Sequence, residues 1–324
     1  MNSQCLNEKC CLIATDIDKT IISEEKEKKV LYQVVGLLAD AASHGTQVAF
    51  ITGNSMNELC INFLKIFIKY LLDTDNFHLL DRFHFFCNSG GVYVRFPFNL
   101  KSKLFREKSN EKSDNHAQKL FDQITFTDGN NNRRVKAPFV NTSYLNRCKI
   151  PDGDIEIIQQ ITDNMVEFYI KEIEENRSHY CEKYDIKKIC DGNQIKKPTL
   201  ELRPVSHILE NNKLVESTVQ VTLKPILSFQ YAINNNEKPG LIGNDLRSCL
   251  VKKIQQEFDD KGLSHLIARP AGRSSIDICL QKLDKAYALE FLIDHLNLQE
   301  YPRSGKKFGS NVIYFGDEVI AGGG

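Results

Sequence analysis

Asp16-Ile17-Asp18-Lys19-Thr20 follows the apolar run from Cys11 to Thr15. Two carboxylates two residues apart on a loop can face one point. Asp317 closes another apolar run, Val312-Ile313-Tyr314-Phe315-Gly316. If the two runs are strands of one sheet, three carboxylates meet at its edge and repel unless a cation sits among them. Their donors are hard oxygens, which suit Mg²⁺ with waters completing the octahedron. Thr52, with the backbone N–H groups of Gly53 and Asn54, stands where a third apolar run ends and a helix begins, a place that can donate to a phosphate. Lys285, near the start of another helix, adds a compact positive charge. Metal, acidic nucleophile, N–H donors and lysine are what phosphoryl transfer requires, namely positioning and charge neutralisation. Asn88 and Ser89 end a further strand and can touch a substrate; a structural turn is the equal alternative.

Each piece alone has a plainer reading. Asp-x-Asp-x-Thr can be a turn whose side chains satisfy local backbone. Thr52 alone reads as a helix cap, Lys285 as a solvated surface lysine and Gly316-Asp317 as an ordinary turn. Order and context separate the readings. Three of the four elements directly follow apolar strands, and the fourth opens a helix.

The elements that must position these residues are legible from periodicity. Apolar runs over 11–15, 47–51, 84–87 and 312–315 predict buried strands. Val30, Leu31, Val34, Val35, Leu38 and Ala42 recur at helical steps between Glu24 and His44, and Gly45 is a natural stop. Ser55 can cap a helix running to about Leu72. Strand–helix–strand alternation means parallel pairing with right-handed crossovers, so the polar segments gather at the carboxyl edge, where open α/β sheets bind ligands. After Phe98 the pattern changes. Residues 105–118 read as a linker or exposed loop. Helical stretches at 154–175 and 243–261, with alternating strands at 199–203 and 218–223, read as an α+β unit. Ile276 to Leu280, Lys285 to His295 and Val312 to Phe315 read as a return to the first style. The expected organisation is an α/β Rossmann-like parallel-sheet core over 1–97 and 268–324, with an α+β domain inserted over 98–267.

Composition narrows the function classes. Lys+Arg and Asp+Glu are both 42, a zero balance that argues against nucleic acid or an anionic membrane as partner. The most apolar stretch, Leu59 to Leu72, is broken by Lys65 and Lys69 and falls short of the ~18 residues a membrane span needs. Glu8 and Lys9 precede only a short apolar run, so no signal peptide is read. Ten cysteines at scattered spacings are expected to stay reduced, which points to a cytoplasmic setting. Cys10-Cys11, with no CxxC and no nearby His, is not read as a metal site.

These residues together resemble the haloacid dehalogenase superfamily of phosphohydrolases. They are similar in particular to members with a large α/β cap between the second and third motifs, the branch of sucrose-phosphate phosphatase, trehalose-phosphate phosphatase and phosphomannomutase. Asp16-Ile17-Asp18-Lys19-Thr20 matches the first motif, Ile51-Thr52-Gly53-Asn54 the second and Gly316-Asp317-Glu318 the fourth. The third is matched by Ser275 to Ile278, continuing through Leu283-Asp284-Lys285 to Leu289. The resemblance implies that Asp16 is the nucleophile forming an aspartyl-phosphate and that Asp18 is the general acid, then the base. It implies that Thr52 and Lys285 hold phosphoryl oxygens, and that Asp16, the Asp18 carbonyl and Asp317 bind Mg²⁺. Two departures stand out. Lys19 replaces the family's usual Gly. The fourth motif stops at Gly322-Gly323-Gly324 without the family's Asn-Asp, so a core truncated at its C-terminus is expected.

The function expected is a Mg²⁺-dependent phosphatase acting on a small phosphorylated metabolite, a sugar phosphate first. A phosphohexomutase and a catalytically silent phosphate-binding relic are the alternatives. Specificity would lie in the cap, with Arg134, Lys136, Arg203, Lys224 and Arg269 as basic candidates.

Overall fold

The computed structural model describes residues 11–18, 20–22, 32–96, 113–128, 131–136, 139–183, 186–208, 214–224, 246–271, 275–298 and 312–316. In chain order the elements begin with β1 (Leu12–Thr15), α1 (Tyr32–Ser43), β2 (Gln47–Ile51), α2 (Met56–Leu59), α3 (Lys65–Asp73), β3 (Phe83–Cys87) and β4 (Val92–Arg95). Next come α4 (Ser113–Ile124), β5 (Thr125–Thr127), β6 (Arg133–Val135), α5 (Thr142–Cys148), α6 (Asp152–Glu175), α7 (Arg177–Lys183), α8 (Ile186–Ile189), β7 (Cys190–Asp191) and β8 (Gln194–Ile195). The chain continues through β9 (Thr199–Ile208), β10 (Leu214–Lys224), α9 (Leu246–Asp260), β11 (Leu266–Ala271), β12 (Ser275–Leu280), α10 (Lys285–His295) and β13 (Val312–Phe315).

The chain divides into two compact units, 1–147 with 205–216 and 283–324, and 148–204 with 217–282. The expected insertion, 98–267, overlaps the second unit over 148–204 and 217–267, while α4, β5 and β6 belong to the first.

The first unit is built on a five-stranded sheet in the order β13-β1-β2-β3-β4. β13, β1, β2 and β3 run parallel, and β4 returns antiparallel to β3. Every residue of β3 is buried, as a strand covered on both faces requires. Alternation sends Phe83 and Phe85 to one face and His84 and Phe86 to the other. On the first face Phe50, Phe83 and Phe85 meet Phe63 and Phe67, with ring centroids 4.9 Å apart for Phe50–Phe63 and 4.8 Å for Phe67–Phe83. On the second, Phe86 stacks on Tyr93 at 4.7 Å, and Tyr144 packs on Phe291 at 4.3 Å. Such pairs add roughly 0.5–1.5 kcal/mol each beyond the area they bury.

α2 has the expected Ser55 cap. Ser55 accepts a hydrogen bond from Glu58 N–H, while Glu58 Oε2 accepts from Ser55 N–H, a reciprocal box at the start of α2. A π-helical turn over Cys60–Leu64 joins α2 to α3. α1 is described from Tyr32, with Val35, Leu38, Ala39 and Ala42 buried; the expected start at Glu24 lies outside the described residues. It stops at Gly45, whose φ of 95° only glycine adopts without cost.

Two expectations are corrected. The stretch 105–118 is not wholly a linker, because α4 begins at Ser113. Ala117, Leu120, Phe121 and Ile124 fall at i, i+3, i+4 and i+7 and are all buried, so one apolar stripe holds the helix despite its polar surroundings. The run 276–280 is a strand, but not of the parallel sheet. β12 pairs antiparallel with β10 and β11 in the second unit's sheet, ordered β11-β12-β10-β9. There Val221, Leu223, Ile276 and Ile278 pack with Ile158, Ile161 and Ile254 from α6 and α9. Of the elements expected to return to the first style, α10 and β13 belong to the first unit and β12 to the second. Among the described residues, no helix is long and apolar enough to cross a membrane.

Candidate active site

Each site residue stands at the carboxyl end of a parallel strand or at the first turn of a helix. Asp16 leaves β1, and its N–H donates to Phe315 O of β13 at 2.9 Å. Its Oδ1 accepts from Ile17 N–H at 2.8 Å, which fixes the carboxylate's direction. The loop then turns tightly, with the N–H groups of Ile21 and Ile22 both donating to Ile17 O. That turn carries Asp18 round to the end of β2.

Thr52 is tied across the sheet by its N–H to Phe86 O at 2.9 Å. Its hydroxyl donates to Asp18 Oδ2 at 2.8 Å. Asn54 reaches the same carboxylate, its Nδ2 lying 2.8 Å from both Oδ1 and Oδ2. The backbone N–H of Asn54, expected to face a phosphate, donates instead to Thr52 Oγ1 at 3.0 Å. Gly53 sits between them, half-buried.

Lys285 is the first residue of α10, which Asp284 caps by accepting from Tyr287 N–H at 2.7 Å. The Lys285 ammonium donates directly to Asp16 Oδ2. Asp16 is 5% exposed. Burial pushes its carboxyl above the ordinary carboxylate range, and the neighbouring Lys285 charge opposes that rise.

The turn after β3 closes the arrangement. Asn88 and Ser89 have φ of 50° and 54°, and Gly90 follows at 90°, a left-handed run that side chains rarely adopt. It is held by Asn88 N–H on Asn54 O at 2.8 Å and Ser89 N–H on Thr52 O at 3.1 Å. Asn88 is buried, with its Oδ1 lacking a hydrogen-bond partner. Tyr144 OH donates to Gly90 O at 2.6 Å. A Cβ at Gly90 would lie 2.7 Å from Asp284 O, so glycine there lets the turn press against the cap of α10.

Direct hydrogen bonds therefore join Asp16 to Lys285, 269 residues away, and separately join Asp18 to Thr52 and Asn54. Asp317 lies outside the described residues. Among those described, no three His, Cys, Asp or Glu side chains form a metal cluster. The donor chemistry at Asp16 and the Asp18 main-chain carbonyl is hard oxygen beside a buried carboxylate, which fits Mg²⁺. Sequence reasoning missed the Asn54 amide on Asp18 and the Gly90–Asp284 approach; Gly90-Gly91 directly after a strand was the available signal for the second. Among the basic candidates, Arg134 pairs with Asp128 at 2.8 Å, Lys224 pairs with Glu201 at 2.6 Å and Lys136 donates to Asp122 O at 3.0 Å.

No protein-family model matches the sequence, and no curated protein matches it. Solved structures do. The chain is similar to the IMP-nucleotidase of Plasmodium falciparum at 13% identity and a TM-score of 0.53, covering 98% of this chain and 62% of that one. The ATP-bound form of that protein matches at 12% identity and a TM-score of 0.51, covering 98% and 54%. The sucrose-phosphatase of Synechocystis, in complex with sucrose and phosphate, matches at 10% identity and a TM-score of 0.41, covering 95% and 76%. The chain thus spans less than two thirds of the nucleotidase's length. With its parallel sheet and an additional α+β unit, the chain shares the fold of that nucleotidase over nearly its whole length.

Proposed function

We propose that the protein is a phosphoric monoester hydrolase acting through an aspartyl-phosphate at Asp16. The observation that supports this most is the direct joining of Asp16 to Lys285 and of Asp18 to Thr52 and Asn54. In the first step an Asp16 carboxylate oxygen bonds to phosphorus as the ester P–O bond breaks, and Asp18 gives its proton to the departing alcohol oxygen. In the second step water bonds to phosphorus, Asp18 takes the water's proton, and the Asp16–phosphorus bond breaks to release phosphate. Lys285 leaves Asp16 and neutralises phosphoryl oxygens, where a positive charge counts most in a desolvated site. Asp16, the Asp18 carbonyl and Asp317 are assigned to hold Mg²⁺, which when bound supplies further charge neutralisation.

The second unit is assigned as the cap that selects the leaving group. Two substrate classes follow. The sequence motifs favour a sugar phosphate. The fold shared with an IMP-nucleotidase over 98% of this chain favours a nucleoside monophosphate. A panel of both classes, with and without Mg²⁺, decides between them when inorganic phosphate and isomerised product are scored together. Mg²⁺-dependent phosphate release is the expected result. An isomer without phosphate release makes the protein a mutase, and no turnover on any ester makes it a silent phosphate binder.

A further inference from the structure

Asn54 can be read in two ways. As the residue after Thr52-Gly53 at the mouth of a helix, it is placed to donate its backbone N–H to a phosphate. The structure spends that N–H on Thr52 Oγ1 at 3.0 Å. The side chain is aimed elsewhere. Its Nδ2 is 2.8 Å from both oxygens of Asp18, and only the NH₂ side of an amide can face two carboxylate oxygens.

We propose that Asn54 is a positioning residue for the acid–base step, holding the Asp18 carboxyl group in the rotamer from which it delivers its proton to the leaving oxygen. This inference rests on the phosphatase reading of the site. Three features support it. Asp18 leads into a short turn, so its side chain needs outside support to keep one direction. Thr52 and Asn54 approach it together, and Thr52 is itself fixed through Phe86 O and the Asn54 N–H. Asn54 is in turn fixed by its own carbonyl, which accepts from Asn88 N–H at 2.8 Å. The left-handed turn at 88–90 thus reaches Asp18 through Asn54.

A proton donor matters most when the leaving group is a strong base. The test therefore compares an alkyl phosphate, whose alkoxide needs that proton, with p-nitrophenyl phosphate, whose phenolate hardly does. Purified full chain is assayed with Mg²⁺, and inorganic phosphate is titrated as a product inhibitor. General acid catalysis is worth about 10²–10⁴-fold in all, and positioning of the acid accounts for a share of that. Asn54→Ala is expected to lower kcat on the alkyl ester at least about tenfold more than on the aryl ester, with KM and inhibition by phosphate little moved. Asn54→Asp, equal in shape but unable to donate, is expected to show the same split, and Asn54→Gln to recover part of it. Thermal melts of all three separate folding defects from this effect. Equal losses on both esters overturn the inference, as does weakened phosphate inhibition with leaving-group selectivity intact, which makes Asn54 a phosphate donor. Failure of the unaltered chain to hydrolyse either ester is a different result, and it overturns the phosphatase reading beneath.

Discussion

At the scale of single residues, the site works by giving a buried charge a partly exposed partner. A carboxylate as buried as Asp16 is stable as an anion only with a cation beside it, and Lys285 is that cation. Asp16→Asn keeps the shape and removes both the proposed nucleophile and the charge. Phosphate release is expected to fall by at least about 10³-fold, while the melting temperature stays near that of the unaltered chain, because the lost ion pair is offset by the lost cost of burying a charge. An assay for phosphate and a melt on the same preparation check this, and undiminished release refutes the covalent route. His84 gives a second residue-scale prediction. It is fully buried, with Nδ1 2.7 Å from Tyr93 OH and Nε2 2.9 Å from Gln47 Oε1. The Gln47 oxygen requires a proton on Nε2, so Nδ1 accepts from Tyr93 and the ring is neutral. Burial, reinforced by the nearby Arg95 charge, pushes its pKa down to about 3. A depressed histidine contributes its stability above the unfolded pKa of ~6.5, and the contribution is lost as the pH falls from there toward the folded value. Between pH 7 and 5 that loss is about 2 kcal/mol. Urea unfolding of His84→Asn at the two pH values is expected to show a pH dependence smaller by about that amount.

At the scale of elements, the decisive contact is between two loops far apart in sequence. The turn 88–91 and the start of α10 touch at Gly90, and the first residue of α10 is Lys285. Gly90→Ala puts a Cβ 2.7 Å from Asp284 O and 2.9 Å from Ala288 Cβ, at a φ of 90°. The backbone cost alone is about 1–2 kcal/mol, and the clash adds about 1–3 kcal/mol or moves α10. Lower stability and lower kcat are expected together, because moving Asp284 moves Lys285. Gly262→Ala is the control, with a φ of 72° and nothing within 4 Å of the added atom. It bears the backbone cost only, and kcat should hold. If both variants lose stability equally and neither loses activity, the close approach at Gly90 has no bearing on the site. This contact was invisible in the sequence, where Gly90-Gly91 marked a turn but not its neighbour. β1, β2, β3 and α1–α3 were legible because their apolar periods are strong. α4 was not, because four apolar positions are diluted by the polar residues around them. β12 shows the limit of periodicity itself: a short buried run predicts a strand, not the sheet that receives it.

At the scale of the whole molecule, the site draws on segments from Asp16 to Lys285 while much of the intervening chain folds into a separate unit. Alternating strands and helices were enough to foresee a parallel sheet whose carboxyl edge collects Asp16, Thr52 and Asn88, since one handed crossover rule orders all of them. The side-chain bonds of Lys285 to Asp16 and of Thr52 and Asn54 to Asp18 were not foreseen, since they depend on rotamers that no spacing rule sets. A bound cation should register on the whole fold, because a ligand that binds only the folded state stabilises it by RT ln(1 + [L]/Kd), about 2.7 kcal/mol at a hundredfold excess over Kd. For a chain of 324 residues that amounts to a rise of roughly 4 °C in melting temperature. Adding Mg²⁺ is expected to raise the melting temperature of the unaltered chain, and chelation to reverse it. Asp16→Asn should abolish the shift, whereas Asn54→Ala, which touches no assigned metal ligand atom, should retain it. A shift of equal size in Asp16→Asn would place the cation elsewhere on the protein and remove Asp16 from its assigned ligands.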